Sequence, residues 1–177
     1  GADATVDTND LTVTAAAGDT QFDGVVAVDG SIDINTDTLT VSAGATVTTT
    51  AAGTITVSNG DAVGDISTIG ANITSAGTMS FDGTGRIDLG ANLLATDAAA
   101  AVGVASSEVR LTGDRSITTS DGTISLDEVS TDTADTHTLT LVAGTGNIVI
   151  DDNVGGDTSE LAGLTVTSAT DVTFSSV

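Results

Sequence analysis

Carboxylates are the residues with most scope for chemistry in this chain, and they gather where turns are expected. Asp151-Asp152-Asn153 with Asp157 form one group, Asp29 with Asp33, Asn35 and Asp37 a second, and Asp121 with Asp127 a third. Oxygen ligands in or beside turns suit calcium, which takes roughly six to eight hard oxygens, backbone carbonyls among them. No EF-hand loop and no Gly-Gly-x-Gly-x-Asp series is present. The expectation is therefore a chain that requires no cofactor, with calcium at Asp151, Asp152, Asn153 and Asp157, or at Asp29 and Asp33, as the metal to test. The competing account is a solvated acidic face that keeps the protein soluble and hinders edge pairing.

Paired carboxylates also serve glycoside cleavage, so a glycan-cleaving enzyme is a class to weigh. Acids occur throughout the chain, mostly at outward positions, and no basic residue is placed to stabilise an enolate or a phosphate. His137, between Thr136 and Thr138, is the one histidine, and there is no cysteine, so neither a triad nor a zinc cluster can be assembled. Arg86, Arg110 and Arg115 read as partners of neighbouring carboxylates. The expectation is no enzyme. Glycan binding lacks its usual stacking platforms, because Trp and Tyr are absent. Thr-x-Thr pieces at 12–14, 46–48, 54–56, 138–140 and 165–167 would form a hydroxyl-and-methyl array if stacked, as an ice-binding surface requires. Threonine is also an ordinary strand residue with a polar tip.

These groups need elements to position them, and the elements are short strands. Leu139 to Val154 is an alternating run, a small-residue turn and a second alternating run; Leu164 to Val177 repeats it with two residues fewer. Alternation of apolar and polar residues is the period of a strand with one buried and one wet face. Leu11 to Val26, the run from Leu39, Ile73 to Gly83 and Ile117 to Val129 are versions of the same phrase. Their starts are mostly 22 to 34 residues apart, with an extra element in the gap from 73 to 117. Such a pattern predicts the coils of a solenoid with irregular corners, three short strands to a coil.

Composition agrees. The apolar residues are Val, Ile, Leu and Ala with three Phe and one Met, which fill a narrow bore without large aromatics, while 21 Gly serve the turns. The fold class expected is all-β: a right-handed parallel β-solenoid of about six or seven irregular coils, a single domain over residues 1–177. The alternative is an antiparallel β-sandwich or jelly roll, whose best local signal is the turn Asn59-Gly60-Asp61. Residues 91–107 (ANLLATDAAAAVGVASS) break the rhythm and read as a corner insertion, with Asp97 capping about a turn of helix over 98–102. In the last coils Leu139, Leu141, Ile148, Ile150, Leu164, Val166, Val172 and Phe174 are expected to point inward.

Charge limits the partners. The net charge is -22, from 25 acidic residues against three arginines and no lysine, which excludes nucleic acid and disfavours an anionic membrane surface. No apolar run is long enough to span a membrane. The opening Gly-Ala-Asp suggests a processed product or an excised piece. The last strand-like run lacks a polar cap, so a further coil, or self-association through solenoid ends or strand edges, is expected to cover it.

The phrases LTLVAGTGNIVIDDNVGGDTSELAGLTVTSATDVTFSSV and VRLTGDRSITTSDGTISLDEV resemble the strand-rich repeats of large secreted bacterial haemagglutinin-like and autotransporter-like adhesins. The resemblance covers residues 107–177 well and residues 11–90 more loosely, and it carries no catalytic motif. It implies a noncatalytic structural or adhesive module, extracellular or on the cell surface, with a cell-surface or matrix glycan or protein as partner. Kept beside it are a secreted filament subunit joined by strand addition, a glycan-binding or glycan-cleaving β-helix, and an ice-binding protein.

Overall fold

The structure is a computed structural model that describes residues 9–15, 17–60, 64–155 and 159–175. Its strands follow one another in a repeating three-sided path. The first coil is β1 (Leu11–Ala15), β2 (Thr20–Phe22) and β3 (Val25–Val28); the second is β4 (Ile32–Thr36), β5 (Leu39–Val41) and β6 (Thr46–Thr49). Then come β7 (Ile55–Asn59), β8 (Ile66–Ile69) and β9 (Ile73–Ser75), and β10 (Met79–Gly83), β11 (Arg86–Leu89) and β12 (Leu93–Ala95). The fifth and sixth coils are β13 (Val102–Ala105), β14 (Glu108–Leu111) and β15 (Arg115–Thr119), and β16 (Ile124–Leu126), β17 (Val129–Thr131) and β18 (Thr138–Val142). In the last coil β19 (Ile148–Ile150) leads through a lone bridge at Val154 to β20 (Gly163–Ser168), and β21 (Val172–Phe174) begins another pass.

Stacking the coils makes three sheets. Sheet A runs β1-β4-β7-β10-β13-β16-β19-β21, sheet B runs β2-β5-β8-β11-β14-β17, and sheet C runs β3-β6-β9-β12-β15-β18-β20. Every pairing between strands of the described residues is parallel, and none of these residues is helical. The chain is an all-parallel β-solenoid of about seven turns. The turn at Asn59 is no hairpin: it passes the chain from sheet A to sheet B, where β8 pairs with β5 and β11. Asp61 lies outside the described residues.

Register keeps like beside like. One inward column of sheet A reads Leu11, Ile32, Ile55, Met79, Val102, Ile124, Ile148, Val172, so a coil takes 21 to 24 residues. The phrase starts seen in the sequence belong to different sheets: Leu11 to A, Leu39 to B, and Ile73, Ile117, Leu139 and Leu164 to C. That is why their spacing looked irregular. Ile73 and Ile117 are two coils apart with Leu93 between them, and no extra element separates them.

The expected corner insertion at 91–107 is corrected accordingly. It contributes β12 and β13, two regular strands, and only residues 96–101 form the corner. Asp97 caps no helix; Ala100 N–H donates to its carbonyl at 3.1 Å across a turn in which Ala99 has φ 62°. Leu94 and Gly103 hold outward positions that threonine or serine fills on neighbouring coils, which erased the alternation from the sequence.

At the corner from sheet C to sheet A the coils approach so closely that side chains are excluded. A Cβ on Gly53 would collide with the carbonyl of Gly30, and one on Gly122 with the carbonyl of Ala100. Polar side chains turned inward near the corners find partners. The Thr49 hydroxyl donates to the Gly53 carbonyl (2.7 Å) and accepts from Ala76 N–H (3.1 Å). Ser67 Oγ accepts from Leu39 N–H and from the Asn59 amide, each at 3.0 Å. Such bonds remove most of the penalty of burying a hydroxyl.

Candidate functional site

Parallel stacking sorts the outward side chains into ladders, so each sheet presents its own chemistry. On sheet A, Asp33 and Asp82 stand within β4 and β10, and Asp127 and Asp151 just beyond the ends of β16 and β19. Asp33 points outward from β4 and is exposed, whereas Asp29 lies on the preceding corner and accepts a bond from Thr50 Oγ1 at 2.8 Å. Of these two expected calcium ligands, one thus stands on a corner and the other on a strand face. Asp151, Asp152 and Asn153 form the corner after β19; Asp151 accepts from Ser175 Oγ (3.1 Å) and Asp152 from Asn153 N–H (2.8 Å). Asp157 lies outside the described residues. What the sequence had divided into two groups the fold joins: Asp127, one coil below, faces Asp151 and Asp152. Burial, then the charges of Asp151 and Asp152, push the Asp127 carboxyl above its ordinary range. Burial, then Glu108 and Asp152, do the same to Glu128.

Other corner carboxylates are satisfied by the next coil. Asp121 accepts from Thr145 through N–H and hydroxyl, both at 2.9 Å, and Asp114 accepts from Thr138 N–H (2.8 Å) and Oγ1 (3.0 Å). These bonds hold both carboxyls below the usual range. Asp23 is lowered likewise by Ser42 and then Gln21. Among the described residues no set of three or more His, Cys, Asp or Glu side chains is grouped to hold a metal ion.

Sheet B carries two of the three arginines, Arg86 and Arg110. Asp88 binds Arg110 through both carboxylate oxygens (2.6 and 2.9 Å) and Arg86 at 2.8 Å, and Arg86 also approaches Glu108 at 3.9 Å. Ser130 donates to the other oxygen of Glu108. The bond to Asp88 raises the already high pKa of Arg110. Arg86 and Arg110 thus offset carboxylates as expected. Arg115, at the head of β15 on sheet C, does not make the expected carboxylate bond among the described residues: its Nη1 donates to the Asp114 backbone carbonyl at 2.8 Å, and its buried Nε has no partner among them. His137 Nε2 lies 2.9 Å from Asp132 Oδ1.

A cleft of about 430 Å³ opens at the corner from sheet A to sheet B, lined by Asn35, Thr36, Ser58, Asn59, Asp82 and Thr84 with adjoining glycines. Among the described residues that line it, Asp82 is the one carboxylate. The threonine pairs are divided. Thr12 and Thr14 stand on sheet A, and Thr46, Thr48, Thr138, Thr140 and Thr165 on sheet C, where Asn92 and Leu94 interrupt them.

No protein-family model, curated protein or solved structure matches this chain. What geometry defines is the class: a parallel β-solenoid scaffold whose polar side chains tie coil to coil.

Proposed function

We propose that the chain is a noncatalytic structural or adhesive module of an extracellular or cell-surface protein, serving as stalk or contact surface. One observation carries this reading. The polar side chains that could have converged on a reacting atom are used between coils: Asp121 to Thr145, Asp114 to Thr138, Thr38 to Asp19, Thr50 to Asp29. Each joins residues one coil apart, so polar chemistry stabilises the stack. Calcium belongs to this reading as a stabiliser of the acidic corners and not as a reagent. The test is to expose the protein to immobilised glycans and matrix proteins, reading retention and the release of reducing ends. Retention without release supports the adhesive arm, and rod-like scattering with neither supports the stalk. Release of reducing ends would sink both.

A second reading, a filament subunit that grows by strand addition, draws on the last coil. There the edges of β20 and β21 are unpaired among the described residues, and Val166, Val172 and Phe174 are exposed. Ordered fibres in electron micrographs of the purified protein would favour it.

A further inference from the structure

Sheet C differs from the other two in what it lacks. Following its register from coil to coil, one outward ladder reads Ala27, Thr48, Thr74, Leu94, Thr118, Val142. Beside it stand Val25 with Thr46, then Ser116, Thr140 and Thr165. No outward position on these seven strands carries a charge. Their one ionisable residue, Arg115, pairs with Leu139 and so occupies the inward phase at the head of β15. In a chain of net charge -22, a strip along the whole stack is free of acids. Chance alternation would have left it mixed, as sheets A and B are. Its apolar members are open to solvent: Val25 is 78% exposed and Leu94 37%.

We propose that this face is a lateral contact between two copies of the chain. Charge selects the occupant. Sheet A of one copy against sheet A of another would bring carboxylates together, Asp33 and Asp82 standing on its outward face. At close range such pairs repel by about 1 kcal/mol each even through water, and by more where water is expelled. Sheet C is the side on which two copies meet with the least of that cost, which is left only at the corner acids Asp23, Asp29, Asp97 and Asp114. Pairing of a face with itself is isologous and has a two-fold axis. The fourth of the seven strands is β12, so the axis falls near Leu94. Leu94 borders a shallow depression of about 200 Å³, walled by Asn72, Thr74, Asn92, Ser116 and Thr118, which the same leucine of a second copy can enter. Seven strands about 4.8 Å apart and some 10–20 Å long give a footprint on the order of 400–500 Å². That is roughly half of one partner's share in a standard stable interface, so the pair is weak and concentration-dependent. Each added coil would lengthen the contact.

The experiment uses the whole chain in sedimentation velocity, from about 10 μM to 1 mM, at low salt and at about 0.5 M NaCl. The expected result is reversible dimerisation that salt strengthens, because it screens the remaining acids. Leu94→Asp should weaken it by about tenfold or more, with Thr118→Asp as a second disruption and circular dichroism as the folding check. Ser80→Asp places the same charge at the centre of sheet A, between Thr56 and Gly103, and should leave the dimer unchanged. Because the chain has no cysteine, Leu94→Cys supplies an independent readout: it should oxidise to a disulfide-linked dimer where Ser80→Cys does not. A monomer throughout the range, or a dimer indifferent to Leu94→Asp and cross-linked equally by both cysteines, would overturn the proposal. So would a monomer that produces thermal hysteresis or is retained on a neutral glycan, which would give the face to ice or to sugar.

Discussion

The strands β19 and β21 occupy the same sheet, in register, with the same kinds of residue turned inward, yet their burial differs completely. Ile148 and Ile150 are 0% exposed; Val172 and Phe174, stacked directly on them, are 42% and 43% exposed. Leu164 still leans on the core, while Val166, paired with the fully buried Leu141, is 37% exposed. The inward phase expected for all eight residues is thus present. Burial is a second matter, because it requires a coil on both sides. In a solenoid the core belongs to the interfaces between coils, not to any one coil.

Substitutions can break this comparison. Ile150→Asp places an unpaired carboxylate between two coils and should cost about 4 kcal/mol or more, enough to unfold that end. Phe174→Asp should cost about 1 kcal/mol or less, since its side chain already meets water. Denaturant melts of both variants decide the point, and equal losses would mean that the last coil is buried after all. Glycine sharpens the contrast on the backbone. Gly122→Ala drives a Cβ into the Ala100 carbonyl and should cost roughly 2–4 kcal/mol by parting the coils. In the last coil Gly163→Ala meets only Thr138 Cγ2 at 3.7 Å and should stay within about 1 kcal/mol in the same urea titration.

The acids extend the comparison to pH. Asp114 and Asp121 bond to the coil above, so the fold favours their charged forms. Their contribution is present above the ordinary carboxylate pKa of about 4 and disappears as pH falls through their lowered values. Asp127 and Glu128 behave oppositely: the native state holds their protons more tightly, so stability rises as pH falls toward about 4–5. Thermal melts should therefore show greatest stability near pH 5, well below neutrality. Asp127→Asn should flatten the limb above that maximum, and Asp121→Asn the limb below it. A maximum at pH 7 would contradict the assignment of Asp127 and Glu128, and no loss of stability below about pH 4 that of Asp114 and Asp121. The smallest expected effect is ionic. Melting temperature should rise from low salt to about 0.5 M NaCl, and by a further degree or two with millimolar calcium at constant ionic strength. Asp151→Asn should remove that increment, with magnesium and EDTA as the comparisons; a calcium response identical to that of magnesium would reduce the acidic corner to diffuse charge.

The fold was legible because alternation is written residue by residue: Leu139-Thr-Leu and Ile148-Val-Ile announce an inward face without any knowledge of neighbours. The coil length was not, because a phrase beginning at Leu39 on sheet B looks like one beginning at Ile73 on sheet C. Around Leu94 and Gly103 the polar half of the alternation is missing, and two ordinary strands resembled an insertion. The chemistry of the corners was less legible still. Asp121 looks the same in the sequence whether it faces water, a cation or Thr145, and only stacking across 24 residues reveals which. The same stacking brings Asp127 to Asp151, and it gathers the uncharged residues of sheet C from seven separate segments into one strip.

The register of one coil upon the next also dictates how the molecule answers a pull. Backbone hydrogen bonds run along the solenoid axis, so tension between the two ends loads the coils in series, each held by the ladder to its neighbour. The end coil, with its apolar residues half in water, is the weakest link and should peel first. Each coil of 21 to 24 residues that comes away shortens the rod by about 5 Å but releases on the order of 75 Å of extended chain. A tether built in this way yields in small, evenly spaced steps and dissipates work at each one, and it can rewind onto the remaining stack when the force is withdrawn.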